Sequence, residues 1–357
     1  MKKSLLALAV LGTFAGAASA QSSVTLFGVV DLNLQYINNG NAGTQYTMGQ
    51  DGLASSRLGF RGVEDLGGGL TASFWLEGAL NPDIGTSTGQ TWQRRSTVSL
   101  AGGWGEVRLG RDYTATFWNS TIFDPFGTNG VGSAGNLVFA TPAIPSGGAY
   151  GTLVRDNNMV GYFLPSGIAG GLYGQAQIAA GENAPGGKYF GIRLGYASGP
   201  FNIAGAYGKT QVTIAAIPPL PADQDGTAYN FGASWNFGFM SLSGYYGRIE
   251  IGNGDQNNWF IGAQAPVGVW TFKASYGQVD RSDSTPGSVF EGQKANQFAI
   301  GATYDLSKRT ALYGTWAGIN NKNGASFRVG ALQNVPAGGV NPNDNSQGLQ
   351  LGVRHSF

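Results

Sequence analysis

Four arginines and two carboxylates carry the most suggestive chemistry in this chain of 357 residues: Arg57, Arg94, Arg95, Arg155, Glu77 and Asp124. All but Asp124 sit in stretches that alternate apolar and polar residues, the period of a half-buried strand. In 53–65, Leu58 and Phe60 take one face, so Arg57, Gly59 and Arg61 take the other. In 70–80, Phe74 and Leu76 turn outward and Glu77 inward; in 91–101, Val98 and Leu100 outward leave Arg95 inward. Its neighbour Arg94 points outward unless a bulge or the sheet's rim intervenes. In 153–164, Val160, Tyr162 and Leu164 outward place Arg155, Asn157 and Met159 inward. Guanidinium groups remain charged at any ordinary pH, and they crowd together only where water and counter-ions screen them. Such a set supports electrostatic attraction of anions in a wet enclosure rather than bond making.

Catalytic frameworks are missing. The one histidine, His355, falls on an apolar face near the last rim, so a serine nucleophile has no base there. There is no cysteine, which excludes a thiol nucleophile, a cysteine metal site and disulfides. No phosphate loop or HExxH pattern occurs, and the adjacent Glu64-Asp65 pair flanks a tight turn with no cleft implied. The expectation is a protein that is not an enzyme and uses no metal or cofactor.

The elements that must position the arginines recur along the whole chain. Strand-like segments start with "VTLFGVVDLNLQY" and continue through "SSRLGFRGVEDLGGGLTASFWLEG", turning at Gly67-Gly68-Gly69, and "RRSTVSLAGGWGEVRLGRD", turning at Gly102-Gly103. Later segments are read at 153–164, 169–180, 187–198, 200–212, 226–238, 239–251, 257–265, 268–280, 295–305, 309–319 and 346–357. The total is about sixteen, an even number as in a closed transmembrane β-barrel. Short joins ("ASGPF", "NFGFM", "DLSKRT") alternate with longer polar or Gly-rich ones at 38–52, 81–90, 213–225 and 281–294. Short turns at one rim and long loops at the other are a barrel's pattern.

Composition agrees. Glycine supplies 60 residues and charged types only 11%, against roughly 7% glycine and 25% charged in soluble domains. No segment after the first twenty residues is apolar enough for a membrane helix. Residues 1–20 read as a signal peptide: a "MKK" start, a short apolar run and the small-residue site Ala18-Ser19-Ala20. Without Lys2 and Lys3, 19 basic residues (21 less 2) face 20 acidic ones, which points to neither nucleic acid nor an anionic surface. Aromatics gather near strand ends, among them Tyr36, Trp104, Tyr162, Phe237, Phe239, Trp259, Trp270 and Phe357, where a lipid–water interface favours them. The final strand keeps its apolar face up to Phe357, as expected if it closes the barrel against the first and leaves no open edge in lipid.

At "SRLGFRGVEDLGGGL", "RRSTVSLAGGWGEVRLGRD" and "GVRHSF", the chain resembles the trimeric general-diffusion porins of Gram-negative outer membranes, especially their β-proteobacterial branch. The resemblance covers essentially all of 21–357 and implies an outer-membrane barrel that passes small hydrophilic solutes passively, assembled as a homotrimer. It implies that Phe357 belongs to the signal read by the barrel-insertion machinery. It also implies that the third long loop, here 113–152, folds into the lumen and narrows it. Arg57, one of the pair Arg94 and Arg95, and Arg155 match the family's wall arginines, with Glu77 and Asp124 as the main carboxylates against them. The expected solutes are therefore ions and small hydrophilic molecules, anions preferred. Alternatives are a channel specific for one small organic anion and, more remotely, a barrel enzyme.

Overall fold

The structure, a computed structural model, describes residues 23–85, 91–139, 151–182, 188–213, 223–284, 291–330 and 339–357. The leader expected at 1–20 lies outside these residues, as do parts of four of the expected long joins.

Alternation in the sequence becomes seventeen strands in one sheet. They are β1 (Ser23–Asn38), β2 (Thr44–Gln50), β3 (Arg57–Gly67), β4 (Leu70–Ala79), β5 (Arg95–Gly102) and β6 (Gly105–Tyr113). Next come β7 (Arg155–Phe163), β8 (Leu172–Ala179), β9 (Tyr189–Ser198), β10 (Phe201–Thr213), β11 (Asp223–Asn236) and β12 (Ser241–Ile251). The last five are β13 (Gly254–Val267), β14 (Trp270–Asp283), β15 (Lys294–Asp305), β16 (Thr310–Lys322) and β17 (Ser346–Ser356). Every pairing is antiparallel, and β1 joins β17 from Val29↔Ser356 to Asn38↔Gln347, so the sheet closes. The odd strand has a simple origin. β1 pairs with β3 along Ser23–Val29 and with β2 along Leu32–Asn38, so β2 and β3 share one stave of a sixteen-stave barrel.

That stave corrects the reading of 38–52 as a loop. Thr44–Gln50 alternates Tyr46 and Met48 on one face with Gln45 and Thr47 on the other, and it extends a hairpin from β1. Tyr36 and Tyr46 meet across it at 5.4 Å.

Closure at the chain terminus is complete to the last residue. Phe357 and Gly28 exchange both backbone hydrogen bonds, each 3.1 Å, and the Phe357 ring lies where a Cβ on Gly28 would stand. Open edges in hydrocarbon would leave such groups unpaired at several kcal/mol each. Leu26, Leu34, Val98, Ile192, Leu194, Ile261, Phe272, Ile300 and Leu351 are exposed on the outer face, as a surface solvated by lipid requires. The described residues contain no helix long and apolar enough to cross a membrane; the crossing is made by strands.

The interior is partly filled by the chain after β6. It forms α1 (Ala115–Phe123), the short α2 (Gly135–Val138) and, after residues 140–150, α3 (Gly151–Val154). α1 starts at Thr114, whose hydroxyl accepts from the Phe117 amide at 3.3 Å, and it stops at Asp124 because the next residue is Pro125. Residues 115–138 run around the inner wall from β9 to β17. Buried Phe126, Val131 and Leu137 join Ile37, Ile319, Phe327 and Val329 in one apolar cluster, so the β16–β17 connection also turns inward.

Candidate functional site

Three of the wall arginines meet around one carboxylate and one phenol. Glu77 accepts from Arg94 Nε at 2.6 Å and from the Trp75 indole at 3.1 Å, with Arg57 Nε 4.0 Å away. Tyr113 OH accepts from Arg155 Nη2 at 2.7 Å and from Arg94 Nη2 at 3.3 Å, and the Arg155 guanidinium lies 4.3 Å from the Tyr113 ring centre. Charge-assisted bonds and the ring face hold the guanidinium groups in fixed orientations. Three guanidinium groups meet a single contacting carboxylate, with Asp51 the further carboxylate whose charge reaches Arg94.

Both members of the Arg94–Arg95 pair turn inward. Arg95 does so by strand parity, opposite Glu77 in register. Arg94 precedes β5; its amide bonds the Glu77 carbonyl at 3.0 Å and its side chain swings to the Glu77 carboxylate. They then divide. Arg94 joins Arg57 and Arg155, whereas Arg95 stacks over Trp75 at 4.6 Å and faces Asp112 at 3.5 Å. Asp112 also accepts from Arg108, which is bidentate to Glu106 at 2.9 and 3.0 Å. This second network is close to neutral.

Asp124 departs from expectation. Only 3% exposed, it accepts from the amides of Phe126 at 2.9 Å, Thr128 at 3.0 Å and Ala134 at 3.0 Å. It therefore staples its own loop and does not face the arginines. Burial pushes its carboxyl up to about 6, while the three amides and the Lys273 charge pull the other way. A cap of this kind is invisible in "IFDPFGTNG" because it depends on where the later Ala134 returns.

Sequence reading passes over Glu106, Arg108 and Asp112, although the parity of "GEVRLGRD" turns them inward with Val107 and Leu109 outward. Tyr113 carries no such signal. The register of β6 against β7 slips between Gly110 and Asp112. On β7, Asn157 and Asn158 drop out of the pairing, with Asn158 at φ 53°. Bulges of this sort re-aim side chains at rims and sites, and here they follow immediately after Arg155.

The inner loop starts at the cluster, where Phe117 stacks on Tyr113 at 4.7 Å, and then runs round the opposite wall. Asn119 bonds Asn230 at 3.0 Å, Ser120 meets Tyr245 at 2.9 Å, and Gln264 reaches the Pro125 carbonyl at 3.1 Å. Farther round, Gln297 bonds the Ser133 carbonyl at 2.9 Å and Gln350 the Val131 amide at 2.8 Å. The seat is cut to fit. Gly232 lies under the Phe123 ring and Gly262 under Pro125, and a Cβ at either would overlap the loop. Replacing Gly232 by Val is therefore expected to push α1 off the wall, at roughly 1–3 kcal/mol of overpacking. Single-channel conductance should change, while Gly205→Ala, whose nearest neighbour is 3.8 Å away, should leave it as in the parent. Equal conductance in Gly232→Val would refute the seat.

A closed barrel with lipid on its outside and a polar, arginine-walled, loop-narrowed interior defines a passive outer-membrane channel. The chain belongs to the Gram-negative porin family, whose model matches residues 7–324. It is 41% identical to outer membrane porin protein 32 of Delftia acidovorans over the full length of both. It is also 31% identical to an outer membrane porin protein of Bordetella pertussis, over 88% of this chain and 93% of that one. Among solved structures, the anion-selective porin from Comamonas acidovorans superimposes with a TM-score of 0.84 at 38% identity, covering 94% of this chain and 100% of that one.

Proposed function

We propose that this porin conducts small hydrophilic solutes with a preference for anions, set where Arg57, Arg94 and Arg155 gather around Glu77 and Tyr113. The observation that carries the reading is the charge imbalance there: two carboxylates, Glu77 in contact and Asp51 farther off, for three guanidinium groups, with Asp124 turned away into its own loop. Low-dielectric walls focus such a field and enrich anions in the aqueous neck. The structurally similar Comamonas acidovorans porin is itself anion-selective, which favours the same sign here. Wild-type protein in a planar bilayer should give a reversal potential of anion sign in a potassium chloride gradient, weakening as salt rises above about 0.1 M. A cation-sign potential would overturn the reading.

Homotrimeric assembly belongs to the same proposal. The outer face from β17 through β1 to β6 is mainly aliphatic, with Leu26, Leu34, Val98, Leu100, Leu109, Leu351 and Val353 exposed beside the rings of Tyr46, Phe74, Trp104 and Phe357. Of the exposed indoles, Trp235, Trp259 and Trp270 lie on β11, β13 and β14, and Trp104 on the β5–β6 turn at the rim of this sector. Amphipathic rings mark lipid interfaces, so the aliphatic sector suits contact with further copies. Native mass measurement in mild detergent should give three chains; a monomer alone would refute this. Phe357 pairs with Gly28 at the seam and exposes its ring there, and its reading as the assembly signal rests on resemblance to the family.

A further inference from the structure

On the wall formed by β8 and β9, two donor side chains are paired in register and one of them has no acceptor. Gln175 and Arg193 are direct partners across these strands, so their side chains stand on the same inner face about 5 Å apart at Cβ. Both are more than nine-tenths buried, with exposures of 6% and 7%. Gln175 Nε2 has no hydrogen-bond partner. Arg193 gives Nε to Asn119 Oδ1 on α1 at 2.5 Å and lays its guanidinium 4.7 Å from the Tyr173 ring centre. Among the described residues no carboxylate comes within the 4.0 Å reach of an ion pair with Arg193. Arg94, Arg95 and Arg108 each meet Glu77, Glu106 or Asp112, whereas Arg155 donates to Tyr113 OH and, like Arg193, lies against an aromatic ring.

A buried amide donor lacking an acceptor, and a buried guanidinium with no carboxylate beside it, are costly unless something supplies the missing negative partner. We propose that Gln175 Nε2 and the Nη groups of Arg193 form an oxyanion station on the lumen wall, separate from the Arg57–Arg94–Arg155 cluster, whose N–H donors suit a tetrahedral or carboxylate group. It extends the anion-preferring reading, because an anion entering the neck would find a second resting place of matched charge. Tyr173 and Asn119 hold the guanidinium plane, so little ordering is required when the anion arrives. Conduction needs such sites to be several and individually weak.

Selenate, a tetrahedral oxyanion visible by anomalous scattering, is the probe. In crystals of the full-length mature protein, a selenium peak is expected within hydrogen-bond reach of Arg193 and Gln175, alongside one at the Arg94–Arg155 cluster. Gln175→Met conserves volume, leaves the Arg193–Asn119 bond untouched and should remove only the first peak. In bilayers the same variant should raise the sulfate concentration that half-blocks chloride current by about fivefold, the loss of one hydrogen bond. Selenate at the cluster only, or a station peak that survives Gln175→Met, overturns the station and leaves the anion preference standing. Selenate at neither place overturns both.

Discussion

Replacing Arg57 and Arg155 together by serine is expected to lower the anion-to-cation permeability ratio by at least about fivefold while the barrel stays folded. Each guanidinium, about 7 Å from a passing ion at an effective dielectric near 40, contributes on the order of 1 kcal/mol. Salt near 0.1 M reduces that by roughly half, so two arginines together amount to about 1 kcal/mol. The double variant leaves Arg94 against Glu77, a neutral pair at 2.6 Å. Substitutions facing the lumen tune selectivity with little effect on the barrel, so heat resistance in detergent should match the parent. Reversal potential in a potassium chloride gradient reads the result. A ratio equal to the parent's would refute the cluster as the selectivity element. Glu77→Gln should move the ratio the other way, since it frees the charge of Arg94.

Asp31→Ala is expected to weaken the protein more than any single change at the arginines. Asp31 is fully buried on β1 and accepts from the amides of Gly52 at 3.2 Å, Leu53 at 2.8 Å and Ala54 at 2.8 Å, and from Tyr313 OH at 2.5 Å. These bonds fix the segment 51–56, where one stave breaks between β2 and β3. The next residue is Arg57, so the carboxylate positions that arginine without touching solute. Inner-loop Gly130 hangs from the same segment, its amide on the Asp51 carbonyl at 3.0 Å. Alanine leaves four donors without an acceptor, each costing about 1–3 kcal/mol until water enters. A loss of several kcal/mol follows, seen as a fall in the temperature that unfolds the barrel in detergent and as noisier single-channel current. Asp31→Asn keeps one acceptor oxygen and should fall between the two. An Asp31→Ala protein as heat-resistant as the parent would refute the anchoring role.

Part of this molecule can be read directly from its residues. A closed barrel follows from alternation with period two, because a strand's neighbours lie on opposite faces whatever surrounds it. The inward arginines follow from the same rule wherever Leu58 and Phe60, or Val98 and Leu100, declare the lipid side. The pairing of the last strand with the first is legible too, since Phe357 ends an apolar face that no fraying end would need. Tertiary structure alone decided the rest. Arg94 escapes parity because it lies just outside β5 and Glu77 draws it in. Tyr113 becomes the partner of two arginines only through the β6–β7 bulges, a local slip that alternation does not encode. Asp124 is legible as a charge but not as a staple, because its ligands include Ala134, ten residues on, and a turn that burial against the wall holds in place. The seat of that loop depends on Gly232 and Gly262, which sequence presents as two more glycines among 60. Close approach of one backbone to another is a property of pairs of segments, so only the folded chain distinguishes the glycines that matter.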